Sequence, residues 1–274
     1  IGREGAVYYA ASGATRPTGK DGDTLIDPAT GNTFKWYGER WHLKTLGTYT
    51  DIKFNATFVK GDLASAVDPA TLEVTYDKAY GDLATTTPAD GYELEGWYLD
   101  EELLTKVTPE SIVVTEEAHS LYAKHVPIVY PITYDLDDGE NDPDNPATFT
   151  VVTPTITLEP ATKVGYTFGG WYSEAAFTNA VTEIALGSHA DITLYAKFTA
   201  IEYDITYNLD GGTNGANPAT YDIEDTPVAL ADATKDGFTF LGWFSDAELT
   251  TEVTEIALGS TGDITLYAGW EVVG

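Results

Sequence analysis

Between Tyr203 and Leu209 apolar and polar residues alternate, which sets Tyr203, Ile205, Tyr207 and Leu209 on one face. A period of two predicts a half-buried strand. Asp210-Gly211-Gly212 interrupts it with residues suited to a turn. Pro227–Leu230 predicts a short apolar strand. Phe238–Phe244 predicts a longer one in which Gly242 permits a bend or close approach, and Asp263–Trp270 a terminal strand. Asp246–Val253 and Thr254–Leu258, between them, predict a short helical turn and a crossover. Several short strands with about one helical segment make a compact, mostly β, α+β unit the expected class.

The same pattern is written more than once. ITYDL at 132–136 returns as ITYNL at 205–209, and NPAT at 145–148 returns at 217–220. GYTFGGWYSEAAFT (165–178) returns as GFTFLGWFSDAELT (237–250), and VTEIALGSHADITLYAKF (181–198) as VTEIALGSTGDITLYAGW (253–270). A repeat of this length is a folding unit, and tandem copies form an array. A worn copy precedes them. GYELEGWYLDEELLTKV (91–107) aligns with 165–181, HSLYAKH (119–125) with DITLYAKF (191–198), and IKFNATF (52–58) stands where ITYDLDD is expected. Trp97, Trp171 and Trp243 are then one structural position seen in each copy, and recurrence assigns them to the core.

Residues 1–48 are different text. Thr24–Ile26, Thr33–Tyr37 and Trp41–Lys44 predict three strands, with turns at Asp27–Asn32 and Gly38–Arg40. A meander of that size needs something to pack on.

In the repeats, a strand ITYxLDGG, then NPATY, a Pro- and Thr-rich strand, GYTFxGWYxD and a final ITLYAKW resemble the Listeria–Bacteroides repeat, the B repeat of internalins. The resemblance is strong over about 130–272 and weaker over about 50–125. It implies tandem β-grasp-like (ubiquitin-like) repeats and a non-catalytic role in spacing, adhesion or display outside the cell. The first copy departs from the pattern by lacking the DGG turn and NPAT. GDxxxDxxTGxxxxWxGxxW in the N-terminal segment resembles small β modules of bacteriophage fibre and decoration proteins. The expected organisation is an N-terminal β module over 1–48 for anchoring or assembly, a divergent repeat over 49–127, and repeats over 128–200 and 201–274.

Charge narrows the partners. Forty-four acids against 14 bases leave a net charge of −30. Nucleic acid is disfavoured because binding it needs Lys and Arg to displace phosphate counterions, and anionic lipid surfaces are disfavoured equally. There is no Cys, hence neither disulfide nor thiolate chemistry. No apolar run is long enough to span a bilayer.

The densest acid cluster, Asp135, Asp137, Asp138, Asp142 and Asp144, offers oxygen ligands of the kind Ca²⁺ takes. The sister loop has lost most of that charge while keeping the scaffold, so the alternative is a solvated turn. Trp36, Tyr37 and Trp41 could form an aromatic platform for a glycan, against the alternative that they cover the meander's own core. The four His show no metal-ligand spacing. No nucleophile motif, phosphate loop or HExxH appears, so no enzyme and no cofactor are expected.

These readings converge on a non-enzymatic exterior protein presenting acidic tandem repeats as a stalk, on a bacterial cell surface or a phage virion. Its expected partners are capsid, tail or surface proteins through the N-terminal module, and oligomers are compatible with that. The alternative is a carbohydrate- or receptor-binding module within a larger secreted protein.

Overall fold

The structure is a computed structural model and describes residues 7–9, 18–20, 23–27, 33–37, 40–45, 48–50, 53–115 and 117–274. For Tyr37 and for strands Val7–Tyr9, Arg40–Thr45 and Thr48–Thr50 it describes the backbone alone. The chain divides into two compact units, Ile1–Ile128 with Thr150–Val152, and Val129–Phe149 with Thr153–Gly274.

In the first unit a five-stranded sheet runs Val7–Tyr9, Thr24–Ile26, Thr33–Tyr37, Arg40–Thr45, Thr48–Thr50. Its first pair is parallel and the rest form an antiparallel meander. Leu25 and Phe34 sit opposite each other in register and are both buried.

Each repeat is built round one five-stranded sheet. In the second repeat its order is Thr148–Phe149, Tyr130–Asp135, Ile192–Ala200, Tyr166–Tyr172, Ala180–Val181. In the third it is Thr220–Tyr221, Tyr203–Asn208, Ile264–Val272, Phe238–Phe244, Glu252–Val253. The first repeat has the same arrangement, with Lys53–Val59 parallel to His119–Pro127 and Tyr92–Tyr98 antiparallel to it. The opening strand thus lies parallel to the closing strand in every copy. A separate two-stranded ribbon completes each unit: Ala64–Asp68 with Thr85–Pro88, Ile156–Thr157 with Glu183–Ile184, and Val228–Ala229 with Glu255–Ile256.

The Trp strand carries a bulge. Register slips between Phe168 and Gly170 in the second repeat and between Phe240 and Gly242 in the third. Phe168 and Trp171 are an odd number of residues apart, so a regular strand would send them to opposite faces. The extra residue puts both against the same core. Gly170 (φ 116°) and Gly242 (φ 129°) hold the backbone where an L side chain is strained.

The expected α+β class, with β-grasp-like repeats, is overturned, while its mostly β part holds: the described residues contain strands and no helix. Asp246–Val253, expected to form a helical turn, is a loop ending in strand Glu252–Val253, and Thr254–Leu258 contains strand Glu255–Ile256. The physical reason lies in Asp246. Its carboxylate accepts the backbone N–H groups of Thr250 and Thr251 (2.9 and 2.8 Å), while Leu249 sits at φ 55°. A short acidic side chain that captures local backbone donors competes with helical hydrogen bonds. Asp100 and Glu174 do the same in the other copies.

Candidate functional site

The recurring feature of each repeat is an indole and the backbone it grips. Trp97, Trp171 and Trp243 are each 2% exposed. Their Nε1–H groups donate to the carbonyls of Ala84, Glu159 and Ala231 at 2.8, 2.9 and 2.9 Å. An aromatic of the opening strand meets each indole edge-on: Phe58 at 4.6 Å, Tyr134 at 5.2 Å and Tyr207 at 5.1 Å between centroids. Such pairs stabilise beyond the area they bury. The three indoles belong to separate clusters with no residue in common.

The NPAT motif supplies a second grip on the same backbone. Asn145 is buried. Its Oδ1 accepts the Glu159 N–H at 2.8 Å, and its Nδ2 donates to the Glu159 carbonyl at 2.9 Å. Asn217 repeats this on Ala231, at 2.6 and 2.9 Å. One carbonyl therefore takes both the amide and the indole proton, filling both of its lone pairs. In the sequence NPAT marks repetition without disclosing this grip, and its recurrence in both full-length copies is the signal it leaves there.

The acid cluster is used locally. Asp137 pairs with Lys163 at 2.8 Å, and the ammonium lies over the rings of Tyr166 and Phe198 at 4.4 and 5.6 Å. Lys235 repeats the arrangement with Asp210, Phe238 and Trp270. The Asp137 carboxylate, through hydrogen bonding first of all, raises the Lys163 pKa. Asp142 accepts the N–H of Asp144 at 2.9 Å and closes its own turn. Among the described residues no three His, Cys, Asp or Glu side chains are grouped to hold a metal, so Asp135, Asp137, Asp138, Asp142 and Asp144 do not assemble as a cage.

Carboxylates in and just after the Trp strands are held below the usual carboxylate range. The Ser173 hydroxyl, then Thr178 and the Asn179 N–H, bring Glu174 down to about 2. Glu95 in the first repeat also falls to about 2, through Lys124 first, then Tyr98 and Lys106.

Of the aromatic platform, Trp36 and Trp41 are opposed in backbone register. Trp36 is half-buried and its ring lies close over Gly19, where an added Cβ would come within 2.8 Å. The side chains of Tyr37 and Trp41 lie outside the described residues, as does that of His42. His119 hydrogen-bonds Tyr80 and Thr115, His125 bonds Thr86, and His189 bonds the Gly187 carbonyl.

Compared with known proteins, three segments match one family, described as the Listeria-Bacteroides repeat domain: residues 51–124, 130–197 and 203–269. The chain belongs to the Listeria–Bacteroides repeat family. The worn first copy is thus a family repeat despite its missing DGG turn and NPAT. A putative membrane protein of Evansella cellulosilytica is 30% identical over 190 residues, 69% of this chain and 28% of the relative. A putative Gly-rich membrane protein of the same bacterium is 31% identical over 189 residues, 67% of this chain and 21% of the relative. Internalin H of Listeria monocytogenes is 35% identical over 143 residues, 51% of this chain and 24% of the relative. The chain thus spans about a quarter of the length of these relatives. No helix among the described residues is long and apolar enough to cross a membrane.

Proposed function

We propose that this chain is a non-enzymatic, surface-displayed array, in which the Listeria–Bacteroides repeats space and present whatever they are joined to outside a bacterial cell. The observation that carries the reading is the closure of each copy on itself. Every repeat commits its indole and its opening-strand aromatic to its own interior. The two full-length repeats commit their NPAT amide there as well. Side chains so engaged hold a scaffold, and a scaffold repeated in tandem sets distance. The relatives support the placement, two being named as membrane proteins and one as internalin H. All three are bacterial, which favours a cell surface over the virion. An excess of 30 negative charges keeps neighbouring arrays apart and soluble.

The test is protease treatment of intact cells of the native source, followed by detection of residues 203–274 with a specific antibody. Loss of the epitope from intact cells supports surface display. An epitope that survives until the cells are lysed contradicts it.

A further inference from the structure

Repeats two and three meet at a socket. Gly165 (φ +80°) stands just before the Trp strand of the second repeat, and Ile223 of the third repeat lies against it. A Cβ on Gly165 would come within 2.8 Å of the Ile223 side chain. Tyr166 beside it donates its hydroxyl to Glu224 at 3.2 Å. The glycine carbonyl accepts the N–H of Ile201, just past the closing strand, at 2.9 Å, fixing the socket beside the point where the chain passes to the next repeat.

The third repeat has the same socket, with no described atom in it. Gly237 has φ +77°, and its carbonyl accepts the Val273 N–H at 3.0 Å, as Gly165 does from Ile201. Lys235 is clamped over Phe238 as Lys163 is over Tyr166. Yet Gly237 is exposed where Gly165 is half-buried, and no described atom comes within 4 Å of where its Cβ would stand. Phe238 has no hydroxyl to offer, so this socket is purely apolar at that position.

We propose that the Gly237 face of the third repeat is a docking site for a further repeat of this same kind, entered by the branched apolar residue at the Ile223 position of that repeat. The occupied copy of the interface at Gly165 shows what fits. The site does not depend on where the array is displayed. It centres the coupling between the two repeats on the glycine before the Trp strand and the branched residue after the NPAT strand, with the Tyr166–Glu224 hydrogen bond beside them in the occupied copy.

The test extends the full chain by a second copy of residues 203–274 placed directly after Gly274. Val273 and Gly274 hold the positions of Ile201 and Glu202, so this spacing reproduces the natural junction. The control carries Ile223→Asp in the appended copy only. Backbone hydrogen exchange over 235–239 of the original copy is read by mass spectrometry, the appended copy carrying Phe238→Tyr, as the second repeat has Tyr166 there, so that its own peptide differs in mass. Slowing of at least several-fold in the extended chain, abolished in the control, is the expected result. Equal exchange in both overturns the proposal. A second measurement stands if the appended copy does not fold: Ile223→Asp in the original chain should speed exchange over 163–167. Unchanged exchange there shows that the socket couples nothing and sinks the proposal as well.

Discussion

At the scale of single residues, the repeats are held by side-chain amides and indoles that pair with backbone donors and acceptors. Asn217 contributes two bonds to Ala231. Asn217→Ala removes these bonds at a solvent-accessible backbone, where water takes their place, and costs about 0.5–1.5 kcal/mol. Urea unfolding followed by Trp fluorescence checks this, and Asn217→Ser should recover little, because a hydroxyl is too short to bridge both groups. Glu95 makes a pH prediction. Its folded pKa, about 2, lies below the ordinary 4.5, so its stabilising contribution is present above about pH 4.5 and is lost as pH falls toward 2. Glu95→Gln should therefore melt below the parent protein at neutral pH and converge with it near pH 2. A melting difference independent of pH would contradict the ion-pair account. The indoles were legible as core because each copy repeats them. The asparagine role was not, since it joins positions 14 residues apart and NPAT by itself reads as turn text.

At the scale of the element, the bulged Trp strand decides which side chains enter the core. Two adjacent glycines make this testable. Gly170 lies at φ 116° with only Tyr172 near its Cβ position, at 3.6 Å, so Gly170→Ala is costly through the backbone and not through crowding. The expected loss is about 1–3 kcal/mol. Gly169 has no such φ, and its Cβ would touch Lys197 at an ordinary 3.4 Å. Gly169→Ala should be neutral or stabilise by about 0.4–1 kcal/mol through the unfolded chain. Thermal melts of the two variants should thus move in opposite directions or differ clearly in size. The alternation at Tyr203–Leu209 made its strand, Tyr203–Asn208, readable. The turn after the Trp strand misled for a physical reason. Asp246-Ala247-Glu248-Leu249 has the composition of a helix start, but its carboxylate reaches forward four and five residues and closes a loop. Local composition cannot distinguish a cap that begins a helix from one that replaces it.

At the scale of the whole molecule, the central claim is that each repeat of this Listeria–Bacteroides family member closes round its own indole, with repeats two and three meeting at the Gly165 socket. Tandem similarity made the number of copies readable. Their mostly β character was readable too, but the ribbons Ile156–Thr157 with Glu183–Ile184 and Val228–Ala229 with Glu255–Ile256 were not, because they pair segments far apart in the chain with two residues each. The most direct test is Trp243→Ala followed by hydrogen exchange across the full chain. Removing a buried indole costs about 3–5 kcal/mol, a large part of what so small a unit can hold. The account predicts faster exchange over residues 203–272 and at the Gly165 socket, with protection round Trp97 unchanged. Loss of protection round Trp97 to the same extent would mean that the cores fold as one, and would contradict it.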